Sequence, residues 1–305
     1  MNNDLLILTA PPASGKTYLI SNLIEELKQI PLVISPLRAL ANECLLKWGA
    51  SCIVMTPEEW LKKRPANKVV ILDEFHLFFY WGDSFRPSMW EAFYEVVQKA
   101  DLVILLTATL TPEMIGFIED YQCQFNKILW VDHGNQKLKY TPAKYVKAYS
   151  PRWMKEFILE GDHNKGVNLI FCAYRSEVFY WEKLLKEKGF RVWSCVGGEA
   201  ALFSLKSQVE RPPHFIVATT VLSHGVNLPH ISRIFFLYQI ANLDFWIQMV
   251  ARGGRRGESF EVYSLENPHG IKHNQLLNLL AIVRLSFKMR LNQKMKQIQE
   301  WFLKA

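Results

Sequence analysis

The sequence contains no long hydrophobic run and no cysteine spacing typical of a metal site. No apolar run approaches the roughly 18 residues that a membrane-spanning helix needs. Asp4 directly precedes the short apolar stretch Leu5 to Leu8, which is not the pattern of a signal peptide. The five cysteines are odd in number and form no Cys-x-x-Cys pair, which argues against a disulfide framework or a zinc site. We therefore expect a soluble, intracellular, cytoplasmic protein without a membrane contact.

Acidic residues are scarce at the C-terminal end. The chain has a net charge of +7, and residues 271–305 hold seven lysines and arginines against Glu300 alone, a local charge of +6. Apolar residues from Leu276 to Phe302 follow helical spacing, interrupted by Lys294, so we expect a helical extension that docks on the body. The positive charge of this extension favours a polyanionic partner such as nucleic acid. On charge alone, a solvated helix face without a partner is an equally good explanation. If the extension prolongs a binding track, removing it should weaken strand affinity and flatten its salt dependence.

The 305 residues exceed one ordinary core and suit two domains. Short apolar runs alternate with helical patterns along the chain, which predicts an α/β fold with two doubly wound parallel sheets. A polar stretch with a glycine and a proline separates the halves. The predicted boundaries are a first domain over 1–135, a linker over 136–145, a second domain over 146–268 and the helical extension over 269–305.

A predicted strand, Leu5–Thr9, runs into Ala-Pro-Pro-Ala-Ser-Gly-Lys-Thr and then into a helix. Backbone N–H groups and the positive end of a helix dipole bind phosphates in this context. We expect Lys16 to neutralise the β- and γ-phosphates of a nucleotide and the Thr17 hydroxyl to bind Mg²⁺. Alanines at 10 and 13 replace two glycines that are common in such loops.

A second predicted strand, Val69–Leu72, ends in Asp73, Glu74 and, two residues later, His76. Functional groups in open α/β sheets gather at the carboxyl ends of strands, so both acids should face the phosphate loop. Asp73 would hold Mg²⁺ directly or through water, and Glu74 would orient the attacking water or accept its proton. Without the phosphate loop upstream, an acidic pair after a strand is more often a solvated turn or a helix cap.

Three further segments offer polar groups. Thr107 and Thr109 follow another strand, where they can relay between sites or simply cap the next helix. Residues 217–229 are rich in small donors suited to sugar and phosphate oxygens. Arg252 and Arg255 lie three apart, among glycines that would let the backbone approach a ligand. Arginines can clamp a transferring phosphoryl group, although Arg-Gly-Gly-Arg-Arg alone also fits a solvated loop or an RNA-binding tract.

In order and spacing, these segments resemble the superfamily 2 helicases of the DExH type from Ala10 to Gly257, and the Ski-like branch in particular. Gly-Val-Asn-Leu-Pro at 225–229 and the start Asp-Glu-Phe-His-Leu at 73–77 carry the likeness to that branch. The segments similar to helicase motifs I, Ia, Ib, II, III, IV, V and VI begin, in that order, at Ala10, Ser35, Met55, Asp73, Thr107, Leu169, Thr219 and Gln248. Ala251 departs from the glycine usual in motif VI.

The resemblance implies two RecA-like domains, with ATP and Mg²⁺ between them and a nucleic-acid strand across both. The implied catalytic residues are Lys16, Asp73, Glu74, Gln248, Arg252 and Arg255, with Gln248 positioning the water and Arg255 as the arginine finger. The implied ATP-binding residues are Pro12, Ala13, Ser14, Gly15, Lys16, Thr17, Gly225 and Asn227. His76, Thr107 and Thr109 would couple the two sites. The implied nucleic-acid contacts are Pro36, Arg38, Thr56, Pro57, Arg175, Thr219 and Thr220.

The expected protein is therefore a minimal two-domain motor, an ATP-dependent helicase or translocase. Its expected partner is single-stranded or partly duplex DNA or RNA, and it would act as a monomer or within a larger complex. An ATP-gated clamp, annealing or remodelling factor without processive unwinding remains an alternative. A third is a scaffold subunit, against which the intact Lys16, Asp73, Glu74 and Arg255 argue. The motifs do not separate DNA from RNA.

Overall fold

The computed structural model describes residues 3–27, 29–161, 163, 166–223 and 226–266. The predicted helical extension therefore lies outside the described residues. Within them, no helix has both the length and the apolar composition to cross a membrane.

The first half forms one parallel sheet. Its strands are β1 (Asp4–Thr9), β2 (Leu32–Ile34), β3 (Ile53–Met55), β4 (Val69–Leu72), β5 (Leu102–Thr107) and β6 (Lys127–Asp132). Its helices are α1 (Lys16–Glu26), α2 (Arg38–Trp48), α3 (Pro57–Lys63), α4 (Phe75–Gly82), α5 (Ser88–Lys99) and α6 (Pro112–Asp120). The spatial order is β3-β2-β4-β5-β1-β6, and every neighbouring pair is parallel. Strand β5 thus lies between β1 and β4, so the loops after these three strands meet at one edge.

The second half forms another parallel sheet. Its strands are β7 (Lys144–Ala148), β8 (Val167–Phe171), β9 (Val192–Cys195), β10 (Phe215–Ala218), β11 (Ile231–Phe236) and β12 (Glu261–Leu265). Its helices are α7 (Pro151–Glu160), α8 (Arg175–Glu187), α9 (Ala200–Val209) and α10 (Leu243–Val250). The spatial order is β7-β12-β11-β8-β10-β9, again with parallel neighbours. The predicted fold class, two doubly wound parallel-sheet domains, is confirmed.

The strands of each sheet are buried on both faces, and this burial explains why short apolar runs in the sequence predicted them. Each sheet has a separate hydrophobic cluster on each of its two faces. All four residues of β4 and of β10 are buried, which is the usual burial of central strands in parallel sheets. Because both faces are covered by helices, only the edges of each sheet and its connecting loops remain for binding.

Strand β7 and helix α4 are among the elements that were not predicted as the structure has them. Strand β7 begins at Lys144, inside the predicted linker, and residues 133–143 before it carry no helix or strand. It is an edge strand with exposed lysines, so it lacks the apolar run that identified the others. Helix α4 is apolar at nearly every position and therefore shows no amphipathic period.

The cysteines behave as expected for reduced thiols. All five are free, and four of them are buried. Burial raises the pKa of Cys52 to about 11 and the pKa of Cys172 and of Cys195 to about 12. These thiols are therefore protonated at neutral pH and are inert packing groups.

Candidate nucleotide and nucleic-acid site

The loop between β1 and α1 is shaped by two residues with positive φ. Ala13 has φ 60° and Gly15 has φ 99°, and the Ser14 amide donates to the Pro11 carbonyl at 3.2 Å. No atom lies within 4 Å of the position that a Cβ on Gly15 would take, so backbone conformation, and not crowding, favours glycine there. The loop is anchored to β5 because the Ala10 amide donates to the Thr107 carbonyl at 3.2 Å.

Lys16 points back over this loop. Its Nζ donates to the carbonyls of Ala10 at 2.8 Å and Pro11 at 3.2 Å. Burial lowers the pKa of Lys16, while the nearby carboxylates of Glu74 and Asp73 act in the opposite direction. A half-buried ammonium that donates to neutral carbonyls is suited to a phosphate, which offers stronger, charge-assisted hydrogen bonds. Thr17 follows as the second residue of α1.

The acidic pair lies at the carboxyl end of β4, as predicted. The Asp73 amide donates to the Ile34 carbonyl at 3.0 Å, and the Asp73 carboxylate accepts the Glu74 amide at 3.0 Å. Glu74 adopts a left-handed backbone conformation, with φ 48° and ψ 51°. That conformation costs a non-glycine residue about 1–3 kcal/mol and is concentrated at functional sites. The strain turns the chain sharply from β4 into α4.

A chain of polar contacts connects Glu74 to the end of β5. His76 is fully buried; its Nδ1 lies 3.4 Å from Glu74 Oε2 and 3.1 Å from Thr107 Oγ1. When the Thr107 hydroxyl donates to the Thr109 carbonyl, at 2.9 Å, it can accept a hydrogen bond from a protonated His76 Nδ1. Burial lowers the pKa of His76 more than Glu74 and Asp244 raise it, which keeps the imidazole neutral. The three predicted coupling residues therefore form one connected unit.

The second half presents α10 and the turn that follows it. Gln248 is buried, and its side-chain nitrogen has no hydrogen-bond partner among the described residues. Arg252 is also buried and donates through Nη1 to the Val226 carbonyl at 2.8 Å. Arg255 is half-buried, with Nε 3.4 Å from the Ala251 carbonyl. Each arginine is thus supported within the second half. Gly225 lies outside the described residues, and Asn227 is exposed.

The glycines between the arginines have a packing role that the sequence interpretation missed. A Cβ on Gly253 would lie 2.2 Å from the Phe260 ring, and one on Gly254 would lie 2.8 Å from it. Gly254 also has φ +61°. The buried Phe260 side chain thus accounts for both glycines, and the expectation that they let a ligand approach stays a prediction.

Helix α4, which follows the acidic pair, contacts α10, which precedes the arginines. The Tyr80 hydroxyl donates to Asp244 Oδ2 at 2.5 Å, and Gln136 Nε2 donates to Asp244 Oδ1 at 3.1 Å. The rings of Tyr80 and Phe245 lie 5.6 Å apart. Sequence reasoning did not identify Tyr80, Gln136 or Asp244, since no motif contains them. Nothing in the sequence marks a pair 164 residues apart as a contact.

The predicted nucleic-acid contacts in the first half lie after β2 and β3. Pro36 is buried and Arg38 begins α2 with an exposed side chain. Thr56 is buried, and its hydroxyl caps α3 by accepting the Glu59 amide at 3.4 Å, with Pro57 as the next residue. The Ser35 amide donates to the Met55 carbonyl at 3.0 Å, so the two loops are neighbours.

The predicted contacts in the second half follow β8 and β10, which are adjacent strands. Arg175 is exposed at the start of α8 and donates through Nη2 to the Gly197 carbonyl at 2.5 Å. Thr219 is half-buried and Thr220 is exposed. Among the aromatic residues near this edge, Tyr174 is exposed, whereas Trp246 packs on Tyr145.

Comparisons with known proteins agree with this architecture. Residues 150–257 match the family model of the helicase conserved C-terminal domain. The chain is 26% identical over 217 residues to the ATP-dependent DNA helicase RecQ of Bacillus subtilis (strain 168), covering 68% of this chain and 36% of that protein. It is 29% identical over 94 residues to the DEAD-box ATP-dependent RNA helicase 35B of Oryza sativa subsp. japonica, covering 30% of this chain and 15% of that protein. The chain thus spans about a third or less of the length of these relatives.

A solved structure shows the same fold. S. cerevisiae Dbp5 bound to RNA and ADP BeF3 superposes with a TM-score of 0.70, covering 93% of this chain and 83% of that chain at 16% identity. The two sheets are therefore RecA-like domains. The matched domain and the relatives show that the chain is similar to ATP-dependent helicases of the RecQ and DEAD-box kinds. Because these relatives are RecQ and DEAD-box proteins, the DExH type and the Ski-like branch are not confirmed.

Proposed function

We propose that this chain is an ATP-dependent helicase or translocase that hydrolyses ATP between its two domains while it tracks along a DNA or RNA strand. One observation carries the proposal: the loop with Lys16, the acids after β4 and the threonines at the end of β5 meet at one sheet edge. Helix α4 extends from this edge to α10, the helix before the two arginines. A nucleotide bound at the edge can therefore influence how the domains meet.

The residues present fit ATP and Mg²⁺. Mg²⁺ is commonly held by one or two protein oxygens together with phosphate oxygens and water. Lys16, Asp73 and Glu74 line one pocket, so the lysine and both carboxylates surround the place that the phosphates would take. Asp73 and Thr17 would hold the ion, and residues 12–17 would surround the phosphates. The bound ion would neutralise phosphate charge during the displacement.

Glu74 would orient the attacking water and accept its proton. The neutral His76 contacts both Glu74 and Thr107, and it would keep the Glu74 side chain facing the site. Through these contacts, a movement of Glu74 would be transmitted to Thr107 and Thr109. Gln248 would help to position the water, and Arg252 and Arg255 would approach the phosphates from the second domain. The amide nitrogen of Gln248 is buried and has no hydrogen-bond partner in the part of the chain that the structure describes, which supports a ligand-facing role, because such groups cost free energy unless they are used.

The proposed DExH type rests on His76, the fourth residue of the segment Asp-Glu-Phe-His. We expect His76→Asp to lose strand-stimulated hydrolysis, because a buried carboxylate beside Glu74 would repel it. If this variant retained strand-stimulated hydrolysis, the assignment to the DExH type would be contradicted.

The strand would cross the carboxyl edges of both sheets. Pro36, Arg38, Thr56 and Pro57 would contact it from the first domain, and Arg175, Thr219 and Thr220 from the second. Contacts confined to backbone oxygens predict sequence-independent, salt-sensitive binding to single-stranded or partly duplex nucleic acid.

Strand displacement on tailed duplexes of DNA, RNA and a DNA–RNA hybrid, with ATP hydrolysis followed in the same samples, tests the proposal. Displacement that requires hydrolysis supports a helicase. ATP-dependent strand binding or annealing without displacement would instead identify a clamp. A chain that binds no strand and hydrolyses no ATP would overturn the proposal.

A further inference from the structure

Arg86 connects two loops that no sequence motif links. It lies between α4 and α5, and its Nη1 donates to the Pro36 carbonyl, in the loop after β2. Its Nε donates to Glu58 Oε1 at 3.1 Å, and its Nη2 donates to both Glu58 oxygens at 2.8 and 2.9 Å. Glu58 belongs to the first turn of α3, directly after Thr56 and Pro57. A single guanidinium thus contacts both loops.

The Glu58 carboxylate is held firmly in this position. Ser88, at the start of α5, donates its hydroxyl to Glu58 Oε1 at 2.8 Å. Partial burial alone would raise the pKa of Glu58, yet the hydrogen bonds from Arg86 and Ser88 hold it below its ordinary value. The Arg86 side chain is 21% exposed and the Glu58 side chain 43% exposed. Only the planar guanidinium can donate to a carboxylate through two nitrogens and to a carbonyl through the third, so lysine cannot replace arginine here.

The two loops that Arg86 joins carry the proposed nucleic-acid contacts of the first domain. Arg38 follows Pro36 by two residues, and Thr56 and Pro57 precede Glu58 directly. Strands β2 and β3 are short, with three residues each, and β3 lies at the edge of the sheet. A backbone hydrogen bond from the Ser35 amide to the Met55 carbonyl joins the starts of the two loops. Beyond it, side-chain contacts such as those of Arg86 contribute to their spacing.

We propose that Arg86 is a positioning residue that fixes the spacing between the loop after β2 and the start of α3, so that both contact one nucleic-acid strand together. The inference rests on the proposed function. Arg86 acts through Pro36 and Glu58 and does not contact the strand. Loss of this contact would let the loops separate. Strand binding would then be weakened by the free energy needed to order the loops.

The test compares Arg86→Ala, Arg86→Lys and Glu58→Gln with Arg64→Ala. Arg64 is a matched control because it makes a similar two-nitrogen contact with Glu95, at 2.8 and 3.0 Å, from the other end of α3. Affinity for fluorescent single-stranded DNA and RNA is measured at several salt concentrations. Binding of a fluorescent ATP analogue without nucleic acid and the melting temperature are measured alongside.

We expect both Arg86 variants to weaken strand affinity about tenfold and Glu58→Gln to weaken it severalfold. Affinity for the ATP analogue should stay unchanged, and Arg64→Ala should bind the strand like the unmodified chain. Combining Arg86→Ala with Glu58→Gln should add little to Arg86→Ala alone, since both break the same contact.

Salt dependence distinguishes positioning from direct contact. If Arg86 paired with a phosphate, Arg86→Ala would reduce the slope of log affinity against log salt by about one, and Glu58→Gln would leave affinity intact. Either that result or full strand affinity in every variant, measured with a chain that does bind strands, would overturn the inference about Arg86. The proposed function would be unaffected. A chain that binds no strand at all counts against the proposed function instead.

Discussion

Glu74 and Lys16 combine features that ordinary structural residues rarely share. Glu74 holds a strained backbone conformation beside a buried neutral histidine, and Lys16 keeps a half-buried ammonium on neutral carbonyls. Both arrangements cost stability, and neither supports a hydrophobic core. We infer that these two side chains are retained for chemistry.

Lys16→Ala and Glu74→Gln test these roles directly. Each variant should abolish nucleic-acid-stimulated ATP hydrolysis, because one loses the phosphate charge and the other the group that orients water. Far-ultraviolet circular dichroism should stay unchanged. Lys68→Ala is the matched control, since Lys68 is exposed and pairs only at the surface with Asp101. Undiminished turnover in either site variant would refute its role.

His76 should make stability depend on pH in one direction. Its pKa is lowered in the folded chain, so below about pH 6.5 the unfolded chain binds a proton that the folded chain does not. The free energy of unfolding should therefore fall as the pH is lowered from 7 to 5. We expect His76→Gln to flatten this part of the profile measured by urea unfolding. His133→Gln, at an exposed position, should leave it unchanged, and an equally steep profile in both variants would contradict the assignment.

At the scale of elements, the turn after α10 depends on close packing with Phe260. Helix α10 ends at Val250, and the two glycines that follow the first arginine lie directly against the ring. This packing sets the path of the turn between Arg252 and Arg255.

Gly253→Ala should destabilise the chain by roughly 1–3 kcal/mol, because the new methyl group meets an immobile aromatic ring. Gly116→Ala is the control: Gly116 lies in α6, and no atom lies within 4 Å of its Cβ position. That variant should instead gain about 0.5–1 kcal/mol from helix propensity. Urea unfolding measures both. Equal effects of the same sign would argue against the packing role of Gly253.

At the scale of the whole molecule, Asp244 is the clearest link between the halves. It is buried, and it accepts Tyr80 from α4 and Gln136 from the segment that joins the two sheets. Asp244 also belongs to the helix that carries Gln248. Movement of α4 relative to α10 would break these hydrogen bonds, so they favour the arrangement of domains seen here.

Tyr80→Phe and Asp244→Asn should each reduce strand-stimulated ATP turnover about fivefold, the loss that corresponds to roughly one hydrogen bond. Affinity of the first domain for nucleotide should not change. The double variant should resemble the single ones, because both remove the same contact. Tyr94→Phe is the control, since Tyr94 bonds Tyr121 within the first half. Strictly additive effects would show that Tyr80 and Asp244 act independently.

Sequence patterns predicted those parts of the site that are formed by residues close together in the chain. Gly-Lys-Thr after a strand predicted a phosphate loop, and an apolar run ending in Asp73 and Glu74 predicted acids at a sheet edge; both lie where expected. The joint coupling role of His76, Thr107 and Thr109 was expected only from the family resemblance. Arg86 and Asp244 were not identified, because a charged residue outside any motif has no distinguishing local pattern.

The sequence by itself determined the two parallel sheets and the order of their motifs. Buried parallel strands must be continuously apolar, and helix and loop residues follow local conformational rules that can be read along the chain. The tertiary structure alone decided which side chains meet across the fold: Arg86 with Pro36 and Glu58, Phe260 with two glycines, and Tyr80 with Asp244. These contacts depend on strand order and helix packing, which bring together residues that have no periodic relation in the chain.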